Sequence, residues 1–391
     1  MNLKIPATFE QRPYAAKHFA AIVSHVRDYH PFYRRWLADA GEVPIMDRQT
    51  FMAHNDEILN GHEVTCTTSG SSGHKVRVHQ SAERVSLHQK DGAMFARWLG
   101  GYLPVTILVN PSSSGEGQSN FDIRMPLDEQ LQLIQRRYRE LGAVALTTYP
   151  GNAEILARTI LEQGWDMSHI QRLGLYGESY EEHQAVYIRQ AFPAAKIWTT
   201  YSSMEFGYIS LMCPHQPSFQ HLMAHRLGVE ILDENDQPCP DGVRGRVVIT
   251  DYFNRRCPFI RYDIGDFAVR GDCPCGKIAL PALSQVQGRV MGSLIHRSGE
   301  YLNAFRVLMA IRDLPGVRRY QVVQEALESF VIKIECEDGV DADALNLKAR
   351  ALLALQDFLA YAPDEMRVDF VEEIPCGENG KYQYSICQVK K

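Results

Sequence analysis

The sequence predicts an α/β protein with a large N-terminal α/β domain that includes a β-rich subdomain, and a small α+β C-terminal domain joined by a hinge. Three observations lead to this class. Strand and helix patterns alternate along the first half of the chain, as in βαβ units that build a parallel sheet. Short β-rich runs separated by turn residues follow. The last part of the chain then reads as a helix, a hairpin, a helix and a strand.

Length and composition limit the kind of protein. The chain has 391 residues, of which 45% are hydrophobic and 23% charged, as in a globular protein of two or three domains. A net charge of −6 argues against nucleic acid as a partner. No apolar stretch suits a membrane span or a secretory signal, and nine cysteines suggest free thiols or a metal site rather than disulfides. We therefore predict a cytoplasmic enzyme.

The first domain, residues 1–287, begins with helical patterns and continues as alternating strands and helices. Helices are expected at residues 11–40, 81–99, 127–141, 153–163 and 180–191, and strands at 106–110, 143–149, 172–176 and 195–200. In the helix at 81–99 the side chains available for burial are Val85, Leu87, Met94, Phe95 and Trp98.

The pattern changes at about residue 204, where the β-rich subdomain (about 204–287) begins. Its expected strands, at 229–232, 245–251 and 267–270, are separated by turn residues. The second domain, 288–391, follows a hinge near 288–292, and its size is common for an independent domain. Its expected elements are a helix at 304–312, strands at 319–324 and 329–335, a helix at 342–358 and a strand at 367–371.

One run of small residues stands out near the N-terminus, Thr67-Thr68-Ser69-Gly70-Ser71-Ser72-Gly73, followed by His74 and Lys75. Glycines let backbone N–H groups form a concave nest for an anion, and hydroxyls add donors for phosphate oxygens. A flexible linker has a similar composition, but this run is short and a strand-like stretch follows at once. It does not match a Walker A loop. We predict a phosphate-binding loop of another kind.

Two carboxylates and one lysine are candidates to complete a nucleotide site. Glu205 follows Tyr201 and Ser202 just past a strand end, where open α/β sheets place ligands, and Mg²⁺ prefers carboxylates together with substrate phosphates. Asp266 could accept hydrogen bonds from both ribose hydroxyls. Lys381 lies on a glycine-bounded turn and is a candidate to reach the nucleotide. Taken singly, each residue also fits a simpler role on the surface or in a turn.

Taken in order, these pieces resemble the AMP-forming adenylate ligases, and their phenylacetate–CoA ligase-like branch in particular. The loop at 67–75 resembles the family's phosphate motif, residues 201–205 its Tyr-x-x-x-Glu element, and residues 262–266 its Tyr-x-x-Gly-Asp element. Gly177-Glu178 matches the segment that flanks adenine, Gly288-Arg289 the start of the hinge, and Gly380-Lys381 the C-terminal Gly-Lys. The resemblance covers most of the chain.

The resemblance implies an ATP-dependent ligase that adenylates a carboxylic acid and transfers the acyl group to a thiol, most simply that of coenzyme A. Glu205 would bind Mg²⁺, and Lys381 would stabilise charge on the carboxylate and the α-phosphate. The acid would lie near Tyr149, Tyr176 and Tyr201, whose rings favour an aryl or arylalkyl acid but are as often part of a core. The implied nucleotide contacts are Thr68, Ser69, Gly70, Ser71, Ser72, Gly73, Gly177, Glu178, Tyr201, Ser202, Asp266 and Arg289.

The sequence leaves open which group accepts the acyl chain, and whether the protein is catalytic. A carrier-protein phosphopantetheine or a protein cysteine could replace coenzyme A, as in the similar acyl-protein synthetases, and Cys387 is one such cysteine. Met291 stands two residues after Arg289, where the family usually has Asp or Lys, which is a hint of a non-catalytic nucleotide-binding homologue. Dimers are common in this branch, and the sequence leaves monomer and homodimer open.

A group of cysteines and histidines lies in the β-rich subdomain. Cys273 and Cys275 form a C-x-C pair, with Cys213, His215 and His221 upstream. Three thiolates and one imidazole suit a structural Zn²⁺, but from this spacing alone a zinc site and unligated thiols are equally well supported. The phenylacetate–CoA ligase-like branch often has Cys, His and C-x-C at these places, and His221 fits better than His215. The resemblance thus implies zinc bound by Cys213, His221, Cys273 and Cys275.

Overall fold

The structure is a computed structural model that describes residues 6–10, 12–68, 76–103, 105–110, 120–178, 180, 182–233, 235–287, 293–299, 301–312, 314–337, 339–343, 345–375 and 383–389. The chain divides into two compact units, Met1–Gly288 and Arg289–Lys391. Both units combine helices with β-sheet, so the predicted α/β class is confirmed.

The described part of the first unit contains nine helices and thirteen strands. The helices are α1 (Ala7–Glu10), α2 (Pro13–Tyr29), α3 (Pro31–Trp36), α4 (Arg48–Ala53), α5 (Asn55–Leu59), α6 (Ala82–Trp98), α7 (Leu127–Leu141), α8 (Pro150–Gln163) and α9 (Glu182–Ala191). The strands are β1 (Cys66–Thr67), β2 (Arg77–Val78), β3 (Thr106–Asn110), β4 (Asn120–Asp122), β5 (Ala145–Thr148), β6 (Arg172–Leu175), β7 (Lys196–Ser203), β8 (Gly207–Met212), β9 (Gln220–Leu222), β10 (Leu227–Leu232), β11 (Arg244–Asp251), β12 (Tyr262–Arg270) and β13 (Ala282–Gln287).

Eleven of these strands form one sheet in the order β10-β11-β12-β13-β9-β8-β7-β6-β5-β3-β4. The strands β4, β3, β5, β6 and β7 run parallel, and every pairing from β7 to β10 is antiparallel. The segment predicted as a β-rich subdomain is therefore the antiparallel half of the same sheet. β1 and β2 form a separate antiparallel hairpin.

Two hydrophobic cores lie within the first unit. The first combines the N-terminal helices with the antiparallel strands: Phe51 of α4 stacks on Phe259 with ring centroids 4.5 Å apart. The second core lies between the parallel strands and helices α7, α8 and α9, and includes Val109, Ile134 and Leu156. The antiparallel half thus shares its core with the start of the chain, not with the parallel strands that precede it.

Local sequence explains where the helices begin and end. Pro31 lacks a backbone N–H and occupies the first position of α3, so the predicted helix at 11–40 is two helices. Ser81 caps α6 by accepting a hydrogen bond from the backbone N–H of Arg84. Gly142 ends α7 with a φ of 64°, a conformation that glycine adopts without strain.

The buried face of α6 agrees with the prediction only in part. The side chains that the helix buries are Arg84, Asp91 and Phe95, whereas Val85 is exposed. The interior face of α6 thus combines the predicted apolar residues Phe95, Met94 and Trp98, which belong to or pack on the first core, with two charged residues that were not predicted there. No helix in the described ranges is both long enough and apolar enough to cross a membrane.

The second unit contains the expected order of helix, hairpin, helix and strand. Its described elements are β14 (Ser293–Ile295), β15 (Tyr301–Asn303), α10 (Phe305–Arg312), β16 (Val317–Ala326), β17 (Ser329–Cys336), α11 (Leu347–Leu359), β18 (Glu365–Phe370) and β19 (Ser385–Cys387). Four strands form a sheet in the order β18-β17-β16-β19. Side chains from α10, α11 and this sheet, such as Leu308, Leu355 and Ile332, form its own core.

Candidate active site

The carboxyl ends of the parallel strands bring several predicted residues to one edge of the sheet. Tyr149 follows β5, Tyr176 follows β6, and Glu205 lies in the turn after β7. Asn110 ends the parallel strand β3. Because ligands of open α/β sheets bind at this edge, we treat it as the candidate active site.

Glu205 is buried there and paired with an arginine that the sequence did not suggest. Its side chain is 1% exposed, and Oε1 lies 3.2 Å from Nη1 of Arg48. Nη2 of the same arginine donates to Oγ1 of Thr68 at 3.1 Å, and Nη1 lies 3.4 Å from the Tyr262 hydroxyl. Arg48 therefore connects the predicted metal ligand with the start of the predicted phosphate loop.

The backbone around Arg48 fixes its position. The N–H of Met46 donates to the carbonyl of Arg261 and the N–H of Asp263 donates to the carbonyl of Met46, both at 2.9 Å. These bonds attach the chain to the start of β12, two residues before Arg48. Asp47 then caps α4 by accepting from the Thr50 N–H at 2.7 Å. No motif marks Arg48 in the sequence.

Thr68 closes the hairpin from which the phosphate loop extends. Its N–H donates to the carbonyl of Val76, and its Oγ1 accepts from the N–H of Val76, both at 2.9 Å. The two ends of the loop are thus fixed close together beside Arg48. Several predicted residues lie outside the described part of the chain: Ser69, Gly70, Ser71, Ser72, Gly73, Lys75, Arg289, Met291 and Lys381.

The turn that carries Glu205 is held by two buried arginines. Arg84 of α6 donates to the Glu205 carbonyl, and Arg226 donates to the carbonyls of Phe206 and Tyr208. Within the turn Gly207 has a φ of 64°, and a Cβ there would lie 2.5 Å from Nδ1 of His88, so only glycine fits.

Each of these arginines is paired with a buried acid. Nε of Arg84 lies 2.9 Å from Oδ2 of Asp251, and Nε of Arg226 lies 2.5 Å from Oδ2 of Asp91. Burial would raise the pKa of Asp91, but hydrogen bonds and charge from His225 and Arg226 outweigh burial and lower it. Buried charges are stable only when they are paired in this way.

Tyr201 and Asp266, predicted at the nucleotide, contact each other directly. The Tyr201 hydroxyl on β7 donates to Oδ2 of Asp266 on β12 at 2.6 Å, and both side chains are buried. Ser202, the next residue on β7, is half-buried. The two sequence elements, far apart in the chain, therefore form one polar group beside the turn of Glu205.

Tyr149 and Tyr176 form an aromatic pair at the same edge. Their ring centroids are 5.0 Å apart at an interplanar angle of 65°. Burial raises the pKa of Tyr176 to about 12 and raises that of Tyr149 further, with the nearby Tyr176 and Glu178 adding to it. Glu178 accepts from the Gly151 N–H at 3.0 Å, at the positive end of α8. Gly177 makes this turn with a φ of 77°.

The predicted zinc ligands Cys213, His221, Cys273 and Cys275 are brought together at the far end of β8, β9 and β12. Their ligand atoms all lie within 4.8 Å of one another. His221 Nδ1 lies 3.0 Å from the Leu280 carbonyl and must donate to it, which leaves Nε2 to face the Cys275 thiol at 3.8 Å. Hydrogen bonds from the backbone N–H groups of Lys277 and Ile278 lower the pKa of Cys275.

Comparison with protein-family models gives no match, and comparison with curated protein sequences gives none. Solved structures do match. 2-Hydroxyisobutyryl-CoA ligase, in its postadenylation state with 2-HIB-AMP, has a TM-score of 0.70 at 16% identity, and the match covers 99% of this chain and 91% of that chain.

Two further enzymes match over most of this chain. ATP-bound MatB from Rhodopseudomonas palustris has a TM-score of 0.53 at 16% identity, covering 81% of this chain and 65% of that chain. The amide bond synthetase McbA from Marinactinospora thermotolerans has a TM-score of 0.51 at 19% identity, covering 79% and 66%. These likenesses show that the chain shares the fold of these enzymes.

Proposed function

We propose that the protein is an ATP-dependent, AMP-forming ligase that adenylates a small carboxylic acid and transfers the acyl group to a thiol, most simply that of coenzyme A. One observation carries the proposal: on the ligand edge of the sheet, Arg48 contacts both the buried Glu205 carboxylate and the hydroxyl of Thr68 at the start of the hydroxyl-rich loop. The shared fold supports it, because solved structures of 2-hydroxyisobutyryl-CoA ligase hold 2-HIB-AMP and CoA.

The chemistry has two steps. A carboxylate oxygen of the acid attacks the α-phosphorus of ATP, and pyrophosphate leaves. The sulfur of the acceptor thiol then attacks the acyl carbon, AMP leaves and the thiol proton passes to solvent. Both steps depend mainly on positioning and on neutralising charge.

Each predicted side chain has a role in this scheme. The loop from Thr68 to Gly73 would hold the terminal phosphates, and Asp266 with Arg289 would bind the ribose. Gly177 and Glu178 would flank the adenine. Lys381 would neutralise charge where the acid meets the α-phosphate.

The metal position suits Mg²⁺. Glu205 offers a buried carboxylate beside the expected phosphates, and carboxylate plus phosphate oxygens are the ligands that Mg²⁺ prefers. When bound, Mg²⁺ would neutralise charge on the phosphates. Arg84 and Arg226 would position this carboxylate through their hydrogen bonds to backbone carbonyls of its turn.

We propose an aryl or arylalkyl acid as the substrate. The Tyr149 and Tyr176 rings are arranged edge to face near the predicted adenine segment, and such rings favour a further aromatic group at 4.5–7 Å. Tyr201 would close the other side of the acid. We propose the cytoplasm as the location of the reaction, and a free thiol such as that of coenzyme A or a carrier protein as the acceptor.

The test is ATP–pyrophosphate exchange with purified protein across a panel of aromatic and aliphatic acids. Exchange is expected with at least one acid, and Glu205→Gln should lower its rate about 100-fold, the scale of removing one electrostatic catalytic group. Glu57→Gln, an exposed acid that pairs with Arg35, is the control and should keep the rate. Lys381→Ala should abolish exchange in a folded protein.

Separate outcomes would contradict separate parts of the proposal. ATP binding without exchange for any acid would indicate a non-catalytic homologue. Full exchange in Glu205→Gln would remove Glu205 from the site. The acceptor is identified by analysing the products formed with CoA, with a phosphopantetheinylated carrier protein, and with neither. Acyl label found on the protein itself would point to a cysteine such as Cys387.

We also propose that Cys213, His221, Cys273 and Cys275 bind a structural Zn²⁺. Three thiols and one imidazole nitrogen match the ligand set of closed tetrahedral zinc sites. The Leu280 carbonyl would fix the imidazole tautomer, and backbone N–H groups would favour the Cys275 thiolate. The site stabilises the antiparallel half of the sheet and takes no part in the reaction.

A further inference from the structure

Three of the polar contacts of Arg48 belong to different parts of the proposed nucleotide site. They are the Glu205 carboxylate at 3.2 Å, the Thr68 hydroxyl at 3.1 Å and the Tyr262 hydroxyl at 3.4 Å. The five N–H donors of a guanidinium are fixed in one plane, so one arginine can bridge several acceptors. Arg48 thus joins the metal position to the phosphate position.

In the ion pair of Arg48 and Glu205, the carboxylate is more deeply buried than the guanidinium. The Glu205 side chain is 1% exposed, whereas that of Arg48 is 18% exposed. The backbone carbonyl of Glu205 is held from the other side by Arg84. The guanidinium of Arg48 therefore lies on the more accessible side of the carboxylate that a metal ion would need.

The guanidinium of Arg48 and a metal ion would compete for the Glu205 carboxylate. A buried carboxylate needs a cation, and either a guanidinium or Mg²⁺ satisfies it. A guanidinium displaced from a carboxylate in turn binds phosphate oxygens well, through paired N–H donors. An exchange of partners would leave no charge uncompensated: the metal ion takes Glu205, and the arginine takes the nucleotide.

We propose that Arg48 occupies the metal position of Glu205 in the nucleotide-free protein and becomes a ligand of the ATP phosphates when the metal–nucleotide complex binds. This rests on the proposed function, since it assumes that ATP binds at this edge of the sheet. It assigns to Arg48 a role in binding that neither a motif nor the fold suggests.

The test is calorimetric titration of the full chain with ATP, once with EDTA and once with saturating Mn²⁺ as a probe for Mg²⁺. The quantity compared is the dissociation constant of ATP with EDTA divided by its dissociation constant with Mn²⁺. This ratio measures how much the metal ion helps nucleotide binding. In Arg48→Met, the buried Glu205 carboxylate loses the guanidinium that pairs with it, so ATP without metal meets an uncompensated negative charge, while the metal ion loses its competitor. We expect the ratio to rise about tenfold over that of the wild type.

Two variants make the result specific. Arg35→Met removes an arginine from an exposed pair with Glu57 and should leave the ratio unchanged. Arg48→Lys keeps the charge but not the planar fork, so its ratio should lie between those of the wild type and Arg48→Met. Should Arg48→Met not fold, the lysine variant alone decides, because an unchanged ratio there contradicts the proposal.

The outcomes separate this inference from the proposed function. If the wild type binds ATP and the ratio stays equal or falls in Arg48→Met, Arg48 only supports the structure and the inference is wrong while the ligase proposal stands. If the wild type binds no ATP with or without Mn²⁺, the proposed function fails and the inference fails with it.

Discussion

Buried charges around the turn of Glu205 stabilise one another in pairs. Arg84 pairs with Asp251 and Arg226 with Asp91, and each of these four side chains is 3% exposed or less. Removing Arg84, for example, would leave the Asp251 charge buried without its cation, at a cost of about 3–5 kcal/mol. The turn is therefore rigid because moving it would separate charges that have no access to water.

Burial and the positive charges of two arginines disfavour protonation of His88. His88 stands four residues after Arg84 on the buried face of α6, with its ring centroid 4.5 Å from that of Tyr208. Burial, and then the charges of Arg226 and Arg84, lower the pKa of His88. Below about pH 6.5 the unfolded chain binds a proton that the folded protein excludes. The free energy of unfolding therefore falls as pH falls through that value, and above it His88 adds no pH dependence.

His88→Asn should show a smaller loss of stability between about pH 7 and 5 than the wild type. The amide oxygen of Asn can replace Nδ1, which accepts from the Tyr208 N–H at 3.4 Å, so the fold is expected to persist. Urea unfolding at each pH measures the difference, provided that the m-values agree. Parallel stability curves for the two proteins over this range would contradict a lowered pKa at His88.

Only the part of the candidate site that lies in local motifs could be proposed from the sequence. Glu205, Tyr201 and Asp266 each stand in a short pattern with a chemical reason. Arg48 contacts Glu205 from 157 positions away, and Arg226 contacts Asp91 from 135 positions away. Pairing at such distances depends on the folded sheet, and no spacing in the sequence encodes it.

At the scale of elements, the cysteine cluster depends on three segments that meet at one end of the sheet. Cys213 follows β8, His221 lies on β9, and Cys273 and Cys275 follow β12. β9 pairs with both β8 and β13, and β13 pairs with β12, so the pairings alone bring the ligands together. β9 has three residues and was not predicted, and a bound metal ion would stabilise so short a strand.

Purified protein should contain about one equivalent of zinc, and Cys273→Ser should contain almost none. The loss should lower the melting temperature by several degrees, since a few kcal/mol correspond to roughly 2–4 °C each in a unit of this size. Metal analysis and thermal unfolding measure the two effects. Cys336→Ser, a half-buried cysteine of the second unit, is the control and should retain the metal. Equal zinc content in both variants would contradict the site.

Most strands and helices were predictable because their hydrophobic pattern is local. β3 and α7 have the bounds that the sequence predicts, since each combines periodic apolar residues with a clear end signal. α6 was placed correctly, but its buried face was predicted only in part, since Phe95 is buried and Val85 is exposed. Helical periodicity alone assigned the apolar side inward, whereas the charges of Arg84 and Asp91 find partners in segments distant in sequence.

At the scale of the whole molecule, the cores do not follow the order of the chain. The first core joins residues 9–95 to residues 201–283, and the second lies between them in sequence. A sequence read from one end suggests a separate β-rich subdomain, because nothing local shows that Phe51 packs on Phe259. The third core consists only of residues from the second unit.

Because the third core is complete within Arg289–Lys391, calorimetry should resolve two unfolding transitions. Leu355→Ala empties a fully buried position of α11 and should lower only one transition, by roughly 10 °C or more, since such a cavity costs about 2–5 kcal/mol. Leu131→Ala, equally buried in α7, should lower only the other. A single transition that both substitutions shift would contradict this prediction, because it would show that the two units unfold cooperatively.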